Sequence, residues 1–282
     1  MTGPFFELNA LGIFLRIAGA LGANILLAGV AYRKKSVSPS GAVVGFILGA
    51  AIFLAGGFSG WIVLGVFFVS STIVGKLTDS RKHRLAHIHE KGSTRDGMQA
   101  FSNAGPAALS MVGYLLTGQG VFLVGFLGSM ATANGDTWSS ELGVLSKKDP
   151  VSLLTLRRVV PGTSGAVSLL GFVASALGSL LIVVSAIGLY VFYGGFTPGI
   201  IALVFAGGIL GGLFDSLLGA LLQGQYKDLR GNYTEKPVSQ GTKNTLVRGF
   251  PWMNNDLVNL ISNTGATIFV MIVHLVALSF GG

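Results

Sequence analysis

The sequence has no cysteine. Disulfides, thiolate nucleophiles and Cys-based metal sites are therefore closed to it. Charge is scarce as well. Asp, Glu, Lys and Arg make up 11% of the 282 residues, against roughly 25% in soluble domains. With 51% hydrophobic residues and a mean hydropathy of +0.69, that shortage excludes an ordinary soluble fold. Met1–Ala10 lacks a basic stretch, so no cleaved signal peptide is expected. Glycine, by contrast, is abundant at 43 residues. Small residues let transmembrane helices approach closely, because packing between helices in lipid relies on van der Waals contact. The composition predicts one transmembrane domain over 1–282, with no soluble appendage large enough to fold alone.

A spanning helix needs about 20 mostly apolar residues. Candidate spans are Leu8–Tyr32, Gly41–Gly56, Gly60–Lys76, Gln99–Thr117, Val121–Ala133, Ser164–Tyr190, Pro198–Gln223 and Leu257–Phe280. The expectation is an all-α integral membrane protein of about eight transmembrane helices. The second and fifth spans are short, which suggests broken or tilted helices. Of the 19 Lys and Arg, all but Arg16 fall in four loops, at 33–35, 76–95, 147–158 and 227–248. The positive-inside rule makes these loops cytosolic and puts both termini outside. Ten of the eleven acids, all but Glu7, fall on that side too. No topology rule requires this, so it points to a site. Arg16 lies roughly two turns from the outer end and can snorkel there.

Small polar motifs recur where the even-numbered spans enter. Pro39-Ser40-Gly41-Ala42 echoes Gly162-Thr163-Ser164-Gly165-Ala166, and Ser102-Asn103-Ala104-Gly105 echoes Ser262-Asn263-Thr264-Gly265. These matches suggest a four-plus-four parallel repeat, 1–117 and 118–282. Internal repeats are common in transporters, so duplication alone does not choose a function.

Polar groups inside a membrane are costly, and by default they mark function. Asn134-Gly135-Asp136-Thr137-Trp138-Ser139-Ser140-Glu141 ends the fifth span. Asp136 and Glu141 suit Mg²⁺, which binds through one or two carboxylates plus phosphate oxygens. Asp215, followed by Ser216, sits within the seventh span, where a carboxylate costs roughly 3 kcal/mol unless paired or metal-bound. Arg95, Gln99 and Asn103 share one helical face, offering a cation and two amides. Asn255, Asp256, Asn259 and Asn263 form a polar stripe opening the eighth span. Finally, Lys147, Lys148, Arg157 and Arg158 lead into Gly162-Thr163-Ser164-Gly165. That Gly-rich segment is read as a helix N-terminus, and its free N–H groups and dipole favour a phosphate. His83, His87 and His89 with Glu90 resemble a zinc set, but an exposed loop among Arg and Lys makes a solvated face the expected reading.

Carboxylates for a divalent cation, and amides and cations for phosphates, are the inventory of phosphoryl transfer. Its catalysis is mostly positioning and charge stabilisation. A site at the membrane edge implies a lipid partner, and nothing suggests a nucleic acid.

The sequence also resembles the transmembrane protein 19 and phytyl-phosphate kinase family of polytopic membrane proteins. The matching stretches are Arg33-Lys34-Lys35-Ser36 with Ser40-Gly41-Ala42; Arg95, Gln99 and Asn103; Gly135-Asp136-Thr137-Trp138 with Ser140-Glu141 and Gly143; Pro161-Gly162-Thr163 with Gly165; Gly211 with Asp215-Ser216 and Leu218-Gly219-Ala220; and Asn255 with Val258-Asn259 and Ser262. They occur in family order over most of the chain. Ser139, Ser164 and Ala166 depart from the pattern. The resemblance implies a kinase converting an isoprenoid monophosphate to the diphosphate, with Mg²⁺ and CTP or another nucleoside triphosphate. On that reading Asp136, Glu141 and Asp215 hold Mg²⁺-triphosphate. Arg95, Lys35, Arg158 and Gly162–Gly165 hold phosphate, and Asn103, Asn255 and Asn259 orient donor or acceptor. A polyprenol kinase would instead need Asp215 or Asp136 as base. A transporter for a phosphorylated lipid or organic anion, and a scaffold with lipid-binding basic loops, are the readings from other classes.

Overall fold

The computed structural model describes residues 8–85, 94–160, 163–190, 196–239 and 241–281, without the side chains of 79–85, 188–190 and 281. Among the described residues are seven helices: α1 (Ala10–Arg33), α2 (Pro39–Leu85), α3 (Gly97–Thr117), α4 (Gly120–Gly143), α5 (Leu169–Tyr190), α6 (Pro198–Leu221) and α7 (Asn255–Gly281). Local chemistry sets their ends. Asn9 caps α1 by accepting from the Gly12 N–H, and Thr197 caps α6 ahead of Pro198. Asp96 and Gln99 form a reciprocal capping box on α3. That helix stops at Gly118, in the left-handed conformation.

The spans expected at Gly41–Gly56 and Gly60–Lys76 are two arms of α2, which breaks at Gly57 (φ 61°, ψ −155°). That region of backbone space is essentially open to glycine alone. The arms fold back on each other. Gly41 lies against the Arg95 carbonyl, and Thr72 accepts a hydrogen bond from the Arg95 side chain. In one straight helix these two positions would be about 46 Å apart. Arg16 Nη1 donates to the Phe53 carbonyl at 3.4 Å, one turn before the break. Arg16 thus anchors this turn rather than merely snorkelling.

Helix α4 is the hub, packed against α2, α3, α5, α6 and α7. Nearly every residue from Val121 to Gly135 is buried. Phe126, Leu127 and Met130 fill the core with Ile52, Val63 and Met111. Five helices, α1, α2, α5, α6 and α7, are long and apolar enough to cross a membrane. Helices α3 and α4 carry more small and polar residues. Shielded by protein rather than lipid, α4 has little need of an apolar surface. Helix α4 runs to Gly143, ten residues past the expected end at Ala133.

Two expectations are corrected. First, α5 begins at Leu169, not Ser164. Ala166–Val167 forms strand β2, antiparallel to β1 (Val151–Ser152), and Ser168 caps the helix by accepting from the Gly171 N–H at 3.0 Å. Second, the connection from α6 to α7 holds sheet. Strands β3 (Gln225–Lys227), β4 (Tyr233–Thr234) and β7 (Thr245–Arg248) form an antiparallel sheet in the order β4-β3-β7. A hairpin of β5 (Val238–Ser239) and β6 (Thr242–Lys243) lies between them. Tyr, Thr and Val recur through these segments, and such residues fit a pleated surface.

Candidate functional site

The site is built around the last two turns of α4. Asn134, fully buried, pins that stretch to its neighbours. It accepts from Ser70 Oγ of α2 at 3.0 Å and donates to the Gly178 carbonyl of α5 at 2.7 Å. Trp138 Nε1 adds a bond of 3.4 Å to Ser70. On α6, Gly211 and Gly212 let the two backbones approach. A Cβ on Gly211 would stand 2.4 Å from Thr132 Oγ1, and one on Gly212 would stand 4.0 Å from the Asp136 Cα.

That approach brings two half-buried carboxylates together. Asp136 and Asp215 lie close enough to repel each other. Asp215 is held from α7, where Ser262 Oγ donates to its Oδ2 at 2.7 Å. With the Asn259 amide oriented to satisfy its neighbours, its nitrogen donates to the same oxygen at 3.0 Å and to the Asn255 carbonyl at 3.1 Å. Beside the pair, Ser139, Ser175 and Ser216 line a small pocket with Gly212 and Phe172. Like charges facing each other among hydroxyls and amides are unfavourable unless a cation offsets them. This oxygen donor set fits a hard divalent cation bound through two carboxylates and phosphate oxygens.

Glu141 stands elsewhere. Thr78 Oγ1 donates to its Oε2 at 2.8 Å, and its charge acts on Arg95. Among the described residues no three His, Asp or Glu side chains gather as a metal-holding group. The Arg95 guanidinium lies over the rings of Phe67 and Phe68, at 5.9 and 6.0 Å, and donates to Thr72 Oγ1 at 3.5 Å. Burial lowers its pKa from the ordinary value, while Glu141 opposes that shift. An arginine stays charged regardless. The Arg95 backbone joins the starts of α2 and α3, since its N–H donates to the Ser36 carbonyl and its carbonyl accepts from Ser38. Gln99 Oε1 serves the capping box, and the Asn103 amide donates back to the Gln99 carbonyl at 2.8 Å. Both residues line an apolar cavity next to Arg95. Asn263, buried between α3, α4 and α7, donates to the Asn103 carbonyl and accepts from Ser129.

The helix start expected at Gly162–Gly165 is not found among the described residues of that segment, since α5 begins at Leu169. Gly162 lies outside the described residues, as do the side chains of His83, His87, His89 and Glu90. Thr163 caps only its own turn, donating to the Val160 carbonyl. Ser164 donates to Gln223 Oε1 at 2.6 Å, and Gly165 (φ 75°) packs on Ala220. This segment docks on the end of α6. Arg158 is exposed in the connection between β1 and β2, and Asn255 is exposed at the start of α7. Sequence reading missed the hydroxyls of Ser262 and Thr78. Ser262 was visible only as part of a motif, and Thr78 carried no signal of its own.

The family model described as integral membrane protein DUF92 matches residues 22–267, which include every site residue named above. Protein PGR of Arabidopsis thaliana is 31% identical over 273 residues, covering 88% of this chain and 92% of its own length. Uncharacterized membrane protein MJ0933 of Methanocaldococcus jannaschii is 29% identical over 217 residues, 77% of this chain and 87% of its own. Protein VTE6, chloroplastic, of Arabidopsis thaliana is 28% identical over 260 residues, 90% of this chain and 68% of its own. No solved structure matches.

Proposed function

We propose that this chain, which belongs to the DUF92 family of integral membrane proteins, is a phosphotransferase that passes a phosphoryl group from a nucleoside triphosphate to an isoprenoid monophosphate. The observation that carries the reading is the pair of half-buried carboxylates, Asp136 on α4 and Asp215 on α6, with Glu141 five residues further along α4 acting on Arg95. The motifs shared with the phytyl-phosphate kinase family give the acceptor class, and CTP is the donor they imply. The basic loops, by the positive-inside rule, support a cytosolic face for the site.

The chemistry asks little of the protein beyond placement. A phosphate monoester has a second pKa of about 6, so the acceptor is already a dianion at neutral pH. One of its oxygens attacks the donor's γ-phosphorus. The bond from that phosphorus to the β–γ bridging oxygen breaks, and the nucleoside diphosphate leaves with that oxygen. No proton has to be removed, so the lack of a histidine among these residues is no obstacle. Asp136 and Asp215 would hold Mg²⁺, which supplies neutralisation of the charge on the donor phosphates. Ser262 and Asn259 keep Asp215 aimed. Arg95 neutralises the acceptor phosphate, and Glu141, held by Thr78, positions Arg95.

The test is purified protein given phytyl or geranylgeranyl phosphate with each of the four nucleoside triphosphates, with Mg²⁺ and with chelator. Diphosphate is expected from at least one donor and only with metal. No diphosphate from any combination, with protein that melts cooperatively, overturns the reading.

A further inference from the structure

Between α1, the two arms of α2 and the start of α3 lies a cavity of about 80 Å³. Its walls are apolar, with Leu27 and Ala28 on α1, Phe46, Leu64 and Phe67 on α2, and Ala104 on α3. Its polar lining residues are Arg95, just before α3, Gln99 and Asn103 on α3, and Asn24 on α1. Asn24 has both amide atoms engaged: Nδ2 donates to the Ala20 carbonyl at 2.7 Å and Oδ1 accepts from Trp61 Nε1 at 3.1 Å. Helix α1 packs chiefly on α2, and its three buried residues are Ala20, Asn24 and Ala31. The α1 side of this groove is thus a single helix whose other surface is apolar and exposed, as Phe14, Leu15, Ile25 and Leu26 show.

We propose that this groove is the acceptor-chain subsite: it holds one isoprenoid chain along α1 and α2, with the chain's phosphate at Arg95. The inference rests on the kinase reading for its direction and adds where the lipid lies. Three observations argue for that occupant. A fixed cation at the mouth of an apolar slot complements an anionic head on a single apolar chain. Away from Arg95 the walls are apolar and Asn24 already has both amide atoms engaged, so the slot suits hydrocarbon. Arg95 also feels Glu141, which lies five residues along α4 from Asp136. A phosphate at Arg95 therefore reaches toward the donor. The groove takes the head-proximal stretch of the chain, and the remainder runs out past α1 into lipid.

Gly45 gives the test its handle. It lines the groove, and a Cβ built there meets nothing within 4 Å. Gly45→Leu therefore adds bulk at the groove from a position where a Cβ has room, and Ala28→Leu adds it from α1. Binding of radiolabelled geranylgeranyl phosphate is measured in nanodiscs without nucleotide, on wild type, both filling variants, Arg95→Gln and Asp215→Asn. A hydrophobic pocket discriminates by about tenfold or more per misplaced group, so each filling variant should weaken binding by at least that. Arg95→Gln should weaken it too, and Asp215→Asn should leave it. That pattern upholds the groove even if no nucleotide supports turnover, in which case the kinase reading alone fails. Turnover by the wild type together with unchanged binding in both folded filling variants overturns the groove and leaves the kinase. Equal competition by a two-chain phosphatidate overturns the choice of a single chain. A wild type that binds no geranylgeranyl phosphate overturns both.

Discussion

Asp215→Asn should separate stability from activity. Both hydrogen bonds to Asp215, from Ser262 at 2.7 Å and from Asn259 at 3.0 Å, fall on one oxygen, Oδ2. An asparagine can place its carbonyl oxygen there and keep both. Hydrogen bonds to a charged acceptor contribute about 1.5–3 kcal/mol and those to a neutral one about 0.5–1.5, so the pair together weakens by about 2 kcal/mol. Against that, the substitution removes the repulsion from Asp136. Like charges at about 4 Å repel by about 4 kcal/mol at an effective dielectric of about 20, and by less as they separate. The two effects are of opposite sign and offset each other, so the melting temperature in detergent should stay within a few degrees of wild type. Losing a preorganised charge-stabilising group costs about 10²–10³-fold in rate, so diphosphate formation should drop at least that far. Ser262→Ala should act chiefly on stability. It removes one bond to a carboxylate, about 1.5–3 kcal/mol of stability, and leaves the charge in place. Asp215→Asn that unfolds would mean the carboxylate is structural. Asp215→Asn that keeps more than about a tenth of the activity, one-tenth being about 1.4 kcal/mol of barrier, would refute its part in the reaction.

Other outcomes follow from the same geometry. Gly57→Ala forces a side chain into a conformation that costs about 1–3 kcal/mol outside glycine and into the Arg16 guanidinium, so thermal stability should fall sharply. Arg158→Gln changes an exposed residue that no longer borders a helix start, so stability should shift by no more than about 0.5 kcal/mol and diphosphate formation should be unaffected. A hundredfold loss of rate would return that loop to the site. Thr78→Val removes the bond that holds Glu141. It should raise the KM for the phosphorylated acceptor while leaving the KM for the nucleotide near wild type, a split that a general loss of fold would not give.

The parts of the site legible in the sequence are those that are expensive to bury. Asp136 and Asp215 stand out because a carboxylate in an apolar span demands a partner, and Asn259 because an amide stripe does the same. Hydroxyls carry no such signal, which is why Ser262 and Thr78 emerged only with their partners in place. The Gly162–Gly165 segment misled for a related reason. Glycine behind basic residues suits a helix start or a turn equally well. The choice was made by pairing of Ala166–Val167 with Val151–Ser152, and by the fit of Gly165 against Ala220, neither of which is local. Helix α4 looked short because hydropathy weighs every helix as if lipid surrounded it, whereas five neighbours surround this one. The groove was invisible in sequence, since it exists only because α2 turns back at Gly57.

The same packing bears on the choice between moving a lipid phosphate and modifying one. A transporter needs a site reachable from both ends of the bundle. The carboxylates here lie toward one end, and the space beyond them is filled. Phe126, Leu127, Met130, Ile52, Val63 and Met111 are fully buried in one continuous core. At the far end, the turn at Gly57 is locked by Arg16, and Trp61 is tied to Asn24. Opening a path through that end would break two anchors of the helical hairpin and expose large apolar side chains to water. A phosphotransferase needs neither. Donor and acceptor phosphate can both arrive from the polar end, and the apolar tail needs only a sideways opening into lipid. The arrangement of core, turn and groove therefore favours chemistry at one face over passage through the membrane.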